Sequence, residues 1–417
     1  MKKKYLIPLT ILIFLTLLTF ALVSLPKTDH TDTLSSQPIS TAEASSSSPD
    51  APTFHEELFE NENLSSPLPD TVSICMVGDI LLHDRVETSA VTEDGSYDFT
   101  PIFSHVKEEI SAFDLALVNE EVILGGEELG ISGYPAFNAP YEVAPALVDC
   151  GFDVICHATN HALDKGKKGI INTLSNWEQY PDIDILGIYQ TEEDSQDVCI
   201  KDVNGFRIAI LNYTYGTNGI SLPADMPFCV GLMEEDKVIR DIQYAEENAD
   251  FTIVCPHWGT EYSLDTDSVQ KKWTSLFLEN GVDLVLGTHP HVIEPIEMLI
   301  SDDEAHSMLV YYSIGNFVNW TSGTGEGSGR RMVGGLAEIL LEKEADGSVI
   351  ISDYTVEPLV CHLQEGYGGV STYLLDDYTE TMAYDNLMKL QDSAFDYEYI
   401  LNLCDRVWGD LWKHELP

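Results

Sequence analysis

Positive charge is scarce in this sequence. Its 417 residues hold 21 Lys and Arg against 70 Asp and Glu, a formal net charge of −49 at pH 7. A surface of that sign repels phosphate backbones and anionic lipid head groups. Nucleic acid and acidic membranes are therefore excluded as partners of the folded part, which leaves solubility, a salty exterior or cation binding. Cysteines at CxxC spacing are absent as well. Of the eight Cys, Cys75, Cys156 and Cys255 sit inside apolar runs, which points to buried thiols rather than a disulfide framework. Pairing among Cys150, Cys199, Cys229, Cys361 and Cys404 stays open. No internal repeat is present, so repeat arrays are excluded.

What is present begins with "MKKKYLIPLTILIFLTLLTFALVSLPK". Three lysines precede an uncharged apolar run from Tyr5 to Pro26, long enough at about 20 residues to span a bilayer as a helix. Lysines on the near side predict that the rest of the chain lies outside the cytoplasm. Residues 1–27 are thus expected to be a membrane anchor at the cell membrane, in preference to a cleaved signal peptide. Residues 28–70, rich in Ser, Thr, Pro, Asp and Glu without apolar period, read as a disordered linker.

At Thr71 the texture changes. "VSICMVG", "LALV", "DVIC", "RIAILNY", "FTIVC", "VDLVLG", "MLVYYSIG", "GLAEILL" and "VIISDYTV" are short β-type runs. Helix-like stretches lie between several of them, "YEVAPALVDC", "GIINTLSNWEQY" and "DSVQKKWTSLFLENG". In the last, Asp267 suits an N-cap and Gly281 a stop. The alternation predicts an α/β domain over 71–360 with a mixed sheet or two stacked sheets. The acidic, aromatic tail, 361–417, spaces Leu387, Leu390, Phe395, Ile400, Leu403 and Val407 as helices with one apolar face.

Polar residues recur where apolar runs end. Gly78-Asp79 with His83, Asn119-Glu120-Glu121, His157-Ala-Thr-Asn160-His161 with Asp164, His257-Trp258 with Glu261, His289-Pro-His291 with Glu294 and Glu297, and Gly315-Asn316 each follow one. Ligand sites in α/β sheets form outside the carboxyl ends of strands. Carboxylate, imidazole and amide oxygen are ligands for Zn, Mn or Fe, and two ions sharing a carboxylate can activate water. His289 and His291, two apart in an extended strand end, would point the same way. Taken singly, each has a plainer reading. Asp79 suits a turn, Glu120 or Glu121 a solvated face, His257 a half-buried hydrogen-bonded ring, and Asn160-His161 a capped turn. His83, His157 and Asp164 remain open between packing and function. Together the set favours a polynuclear metal or anion site, with Lys165, Lys167 and Lys168 as rare positive charge beside it.

The stretches "VGDILLHD", "LALVNEEV", "FNAP", "GFDVICHATNHALDKGKKGIINTL", "HWGTEY", "GVDLVLGTHPHVIEPIE" and "YYSIGNF" resemble, in order and number, the CapA/PgsA proteins of capsule and poly-γ-glutamate synthesis. The resemblance runs from about Ser73 to Phe317. It implies a metallophosphatase-like (calcineurin-like) αββα sandwich, here with an N-terminal transmembrane helix and a C-terminal helical extension. It also implies divalent metal ions (Mn, Zn or Fe) held by Asp79, Glu121, Asn160, His257, His289 and His291. His161 and Asn160 are the implied catalytic residues, with His161 protonating a leaving group or stabilising developing charge as water or an amine attacks a phosphoester or amide. The Asp-x-His that the phosphatase pattern has on the first strand is replaced here, since Ile80-Leu81 follow Asp79 and the nearest histidine is His83. Membrane subunits of a capsule or poly-γ-glutamate synthase and an anionic polymer are the implied partners. An extracellular metallophosphoesterase and a non-catalytic polymer-binding subunit are the rival readings.

Overall fold

The computed structural model describes residues 70–416; the expected anchor, and the linker up to residue 69, lie outside them. Two sheets organise the described chain. In the first, β1 (Thr71–Leu81), β2 (Leu115–Glu120), β3 (Val154–Cys156) and β4 (Asp184–Leu186) run parallel in that order. The second runs β5 (Cys199–Val203), β6 (Phe206–Thr214), β7 (Phe251–His257), β8 (Leu284–Leu286), β10 (Ser307–Tyr311) and β9 (Ile296–Ile300), with parallel pairing from β6 through β8 to β10. Completing the first sheet, β11 (Asn316–Asn319) pairs parallel with the end of β1. On the other side, β12 (Val333–Lys343), β13 (Val349–Leu363) and β14 (Val370–Leu374) add an antiparallel meander.

Alternation along the strands explains the layers. Ile208 and Ile210, Ile253 and Cys255, Leu284 and Leu286, and Leu309 and Tyr311 face the core shared with the first sheet. Their neighbours Leu211, Tyr213, Val254, Val285, Met308 and Val310 face outward. There they meet Val238 and Ile242 of the helix Glu235–Asn248, and Trp273 and Phe277 of the helix Ser268–Glu279. Strands buried on both faces read as continuous apolar runs, as these do. Across the sheets the Cys255 thiol lies 3.9 Å from the Met76 sulfur. The helix Val143–Cys150 packs Val143 and Leu147 into the same core from the first sheet's side.

Local signals fix several boundaries. Asp267 caps its helix by accepting from the amides of Val269 and Gln270, with the Gln270 side chain returning the bond, and Gly281 follows the end at φ 98°. Asn204-Gly205, both at positive φ, close the β5–β6 hairpin as a two-residue turn. β4, β5, β9, β11 and β14 have no counterpart among the runs read from sequence; they are short or only partly buried.

At the carboxyl end, β13 runs through residue 360 and β14 follows, so the sheet continues past the expected boundary. Helices occupy Glu380–Asp385 and Tyr397–Trp408. Ile400, Leu403, Cys404 and Trp408 join the main core, and the Trp408 indole donates to the Glu294 carbonyl at 3.1 Å. Leu390 departs from the expected apolar face and is exposed. All eight cysteines are free thiols. Among the described residues no helix is long and apolar enough to cross a membrane.

Candidate metal centre

The parallel strands of both sheets end on one rim, and their ends carry the candidate ligands. β1 reaches it through a register shift at Gly78. A Cβ on Gly78 would lie 1.9 Å from the Gly315 carbonyl oxygen, so only glycine permits this approach. The Asp79 amide donates to that same oxygen at 3.0 Å. Asp79 is thereby turned into the interior, fully buried. Asn119, near the end of β2, donates to Asp79 Oδ1 at 2.8 Å. Glu121 follows one residue beyond β2, its backbone tied to Ile80 and to the Thr159 hydroxyl.

His257 ends β7. Its Nε2 is 3.0 Å from Asn160 Oδ1 and its Nδ1 is 3.0 Å from the Thr288 hydroxyl. His289 and His291 are not in an extended strand, contrary to the sequence expectation. Their φ angles are 98° and 58°, in the left-handed region. That conformation costs a non-glycine residue on the order of 1–3 kcal/mol and persists where surrounding contacts impose it. Here the His289 amide donates to Asp79 Oδ2 at 3.2 Å, and the His291 ring lies 3.1 Å from both Asp79 Oδ2 and Asn316 Oδ1. The two imidazoles consequently reach different positions.

Two buried triads result, Glu121–His257–His289 and Asp79–Glu121–His291, each with ligand atoms within 4.8 Å of one another. Glu121 belongs to both. A third group, Glu261–His289–His291, opens toward solvent through the exposed Glu261. Both oxygens of Glu121, Oδ1 of Asn119 and Nδ1 of His289 are buried without a hydrogen-bond partner. Unpartnered buried acceptors are rare, and a cluster of them with this donor set fits divalent cations. Burial pushes the Glu121 carboxyl well up and the His257 and His289 rings well down. Burial opposes a charged His291 too, but Glu121 and Asp79 outweigh it and raise that ring to about 9.

His161 lies beside this cluster but outside the triads. Its Nδ1 is 2.7 Å from Asp164 Oδ2, which also accepts from the Phe137 amide at 2.7 Å, and Phe137 packs edge-on against the imidazole. Asp164 therefore positions His161 as well as shaping the turn. Asn218, at φ 50°, accepts from Asn160 Nδ2 at 3.2 Å. His157 is a core residue: its Nε2 accepts from the Trp177 indole at 3.1 Å, and burial pushes it down to about 3. His83 packs on Phe137 and joins none of the triads. Glu120 and Glu121 are both buried rather than solvated. Glu294 turns away to accept from Gln270 at 2.6 Å, and Glu297 from the Tyr312 hydroxyl at 3.2 Å. Two of the three nearby lysines already have partners, Lys165 at the Ser132 hydroxyl and Lys167 at Asp225. Thr288, Asn218, Tyr215 (its ring 4.7 Å from that of His289) and Tyr262 (near His291) were missed from sequence, since single residues of this kind carry no spacing signal.

Comparison with known proteins bears on this site. PGA biosynthesis protein CapA of Bacillus subtilis (strain 168) is 31% identical over 268 residues, covering 60% of this chain and 65% of that protein. Capsule biosynthesis protein CapA of Bacillus anthracis is 28% identical over 283 residues, covering 65% and 63%. The chain thus spans a little under two thirds of the length of these curated relatives. A 5'-nucleotidase precursor from Thermus thermophilus superposes over 70% of this chain and 54% of its own, at 14% identity and TM-score 0.45. The NAD nucleotidase NadN of Haemophilus influenzae does so over 70% and 58%, at 13% and 0.43. Scores at that level carry no conclusion about activity. The family described as bacterial capsule synthesis protein PGA_cap matches residues 73–321, more than half of the chain, and the protein belongs to that family.

Proposed function

We propose that this protein serves capsule or poly-γ-glutamate synthesis or export through a two-metal site in its α/β domain. It would act from an extracytoplasmic position, anchored by residues 1–27, alongside membrane subunits of the synthase. The observation that carries the reading is Glu121, a buried carboxylate with neither oxygen hydrogen-bonded, common to two ligand triads. Asp79 and His291 would hold one ion, His257 and His289 the other, with the Asn160 amide oxygen beside His257. Bound as a pair, divalent ions would lower the pKa of water and neutralise negative charge developing on a phosphoester or amide. The chain's own groups do the rest. Asn119 and Asn316 orient Asp79 and His291, Thr288 orients His257, and Asp164 holds the His161 ring so that it can give a proton to a leaving group.

The test is genetic and chemical together. Deleting the gene should abolish an anionic surface polymer, and Glu121→Gln should not restore it while the wild-type chain does. Polymer output unaffected by deletion, with loss only of a secreted phosphatase activity, would replace this reading with an extracellular phosphoesterase. Restoration of polymer by Glu121→Gln would instead leave a non-catalytic assembly subunit.

A further inference from the structure

Arg331 is the exception in a chain with little positive charge. Its residue is only 9% exposed, yet among the described residues no carboxylate oxygen lies within 4 Å of its guanidinium. Its direct partners are neutral: Nε donates to the Ser328 carbonyl at 3.3 Å, Nη1 to the Thr321 hydroxyl at 3.3 Å, and the guanidinium sits 5.1 Å above the Tyr262 ring. A buried cation is ordinarily paired, because its desolvation is otherwise uncompensated. With 70 acidic residues in the chain, leaving this one unpaired keeps a place for an anion from outside.

The place exists. Arg331 and Tyr262 line a cavity of about 280 Å³ with the glycine-rich loop Thr324–Ser328 and Arg330; the one carboxylate on that lining, Glu326, is exposed. The cavity adjoins the metal centre through shared supports. The Tyr262 ring lies 6.1 Å from that of His291, and its backbone, at φ 65°, donates to the Pro290 carbonyl at 2.7 Å, between the two histidines. Asn316 Nδ2 donates both to the His291 carbonyl at 3.1 Å and to the Arg331 carbonyl at 2.9 Å. Metal ligand and arginine are therefore held as one unit.

We propose that Arg331, backed by Tyr262, is the subsite for an anionic group of the substrate next to the metal centre. A planar guanidinium suits a carboxylate or a phosphate through paired hydrogen bonds. Resting on the function proposed above, the subsite explains how so acidic a protein would accept a polyanion: one shielded arginine meets the group that the rest of the surface repels. The partnered lysines Lys165 and Lys167 do not fill that role.

The experiment titrates the full chain, with its metal content recorded, by calorimetry against a γ-linked glutamate pentamer and separately against inorganic phosphate. Arg331→Gln should weaken binding at least tenfold with metal content unchanged, and Arg331→Lys should recover part of it. Thr324→Glu, an exposed position on the cavity lining, should weaken it as well without disturbing the fold. Pentamer binding that depends on Arg331 assigns the subsite to a carboxylate, and phosphate binding that depends on it assigns the subsite to a phosphate. Binding of neither probe, or equal binding by wild type and the folded Thr324→Glu and Arg331→Gln chains, would overturn the proposal. The polymer and metal tests of the function do not depend on that result.

Discussion

Asp79 Oδ2 stands 3.1 Å from His291 Nδ1, joining a strand of the first sheet to the loop after β8 of the second, with both residues buried. The pair sits on the seam between the sheets. What perturbs either sheet there should be read first in metal binding.

Removing the shared carboxylate is the most direct case. Glu121→Gln keeps the shape and takes away the charge that both triads use. We expect two divalent ions per wild-type chain by elemental analysis and none retained at stoichiometry in the variant, an affinity loss on the order of 100-fold or more. Chelation should lower the wild-type Tm, since an ion present at about 100 times its Kd contributes about 2.7 kcal/mol, and should leave the variant's Tm nearly unmoved. A variant that still binds two ions would remove Glu121 from the site.

Gly78→Ala tests the bulge. Its methyl group would meet the Gly315 carbonyl at 1.9 Å, and backbone on both sides must shift. A loss of about 1–3 kcal/mol or more in urea unfolding is expected. Metal content should fall too, because Asp79 is displaced with the strand. Wild-type stability in this variant would show that the two glycines do not need their close approach.

Two histidines four residues apart should behave oppositely. His157→Leu leaves the buried Trp177 indole N–H without its acceptor, for about 1–3 kcal/mol of lost stability, with metal content intact. His161→Ala should keep metal and most of the stability but fail to restore polymer. The comparison needs only melting curves, elemental analysis and a complementation assay.

Asp283 predicts a pH dependence away from the metal centre. Burial, reinforced by Glu246 and only partly offset by the Thr252 amide, pushes its carboxyl up to about 8. The folded chain therefore keeps the proton where the unfolded chain has released it. Stability is fully present below the ordinary carboxylate range and is lost as pH rises toward 8. Asp283→Asn retains an acceptor for the Thr252 amide, which in the wild type donates to Oδ2 at 2.8 Å. Its Tm should fall less than the wild type's between pH 5 and 8, by a few degrees across that window. Parallel curves would count against a protonated Asp283.

Trp408→Ala asks whether the tail belongs to the domain. The indole is buried, donates to Glu294 and packs where Gly335 leaves room for it. A loss of about 3–5 kcal/mol is expected in chemical unfolding. A value near zero would make the last helix a detachable extension.

Much of this molecule was legible in its residues. Period and capping gave the helix Ser268–Glu279 with Asp267 and Gly281 at its ends, and apolar runs gave the long buried strands, because those signals are local. The site residue types were visible at strand ends for the same reason: a chain leaving a parallel strand announces itself by turning polar. β4, β9 and β14 were not legible, since strands of three to five residues at sheet edges carry too little apolar pattern to separate from loop. Which of two neighbouring groups joins the ligand cluster was equally hidden. Nothing in "NEE" itself tells that Glu121 rather than Glu120 is the carboxylate common to both ligand triads, nor in "HATNH" that His157 belongs to Trp177 and His161 to Asp164.

The sequence by itself determined the α/β alternation, the excess of acid and the list of candidate ligands, all set by composition and short-range pattern. Only the tertiary structure decided their division of labour. Left-handed turns at His289 and His291, the contact of Gly78 with Gly315, and the seating of Arg331 on Tyr262 each depend on chain segments far apart in sequence. Packing brings those segments together and imposes conformations and an unpaired buried charge that no local stretch would adopt alone.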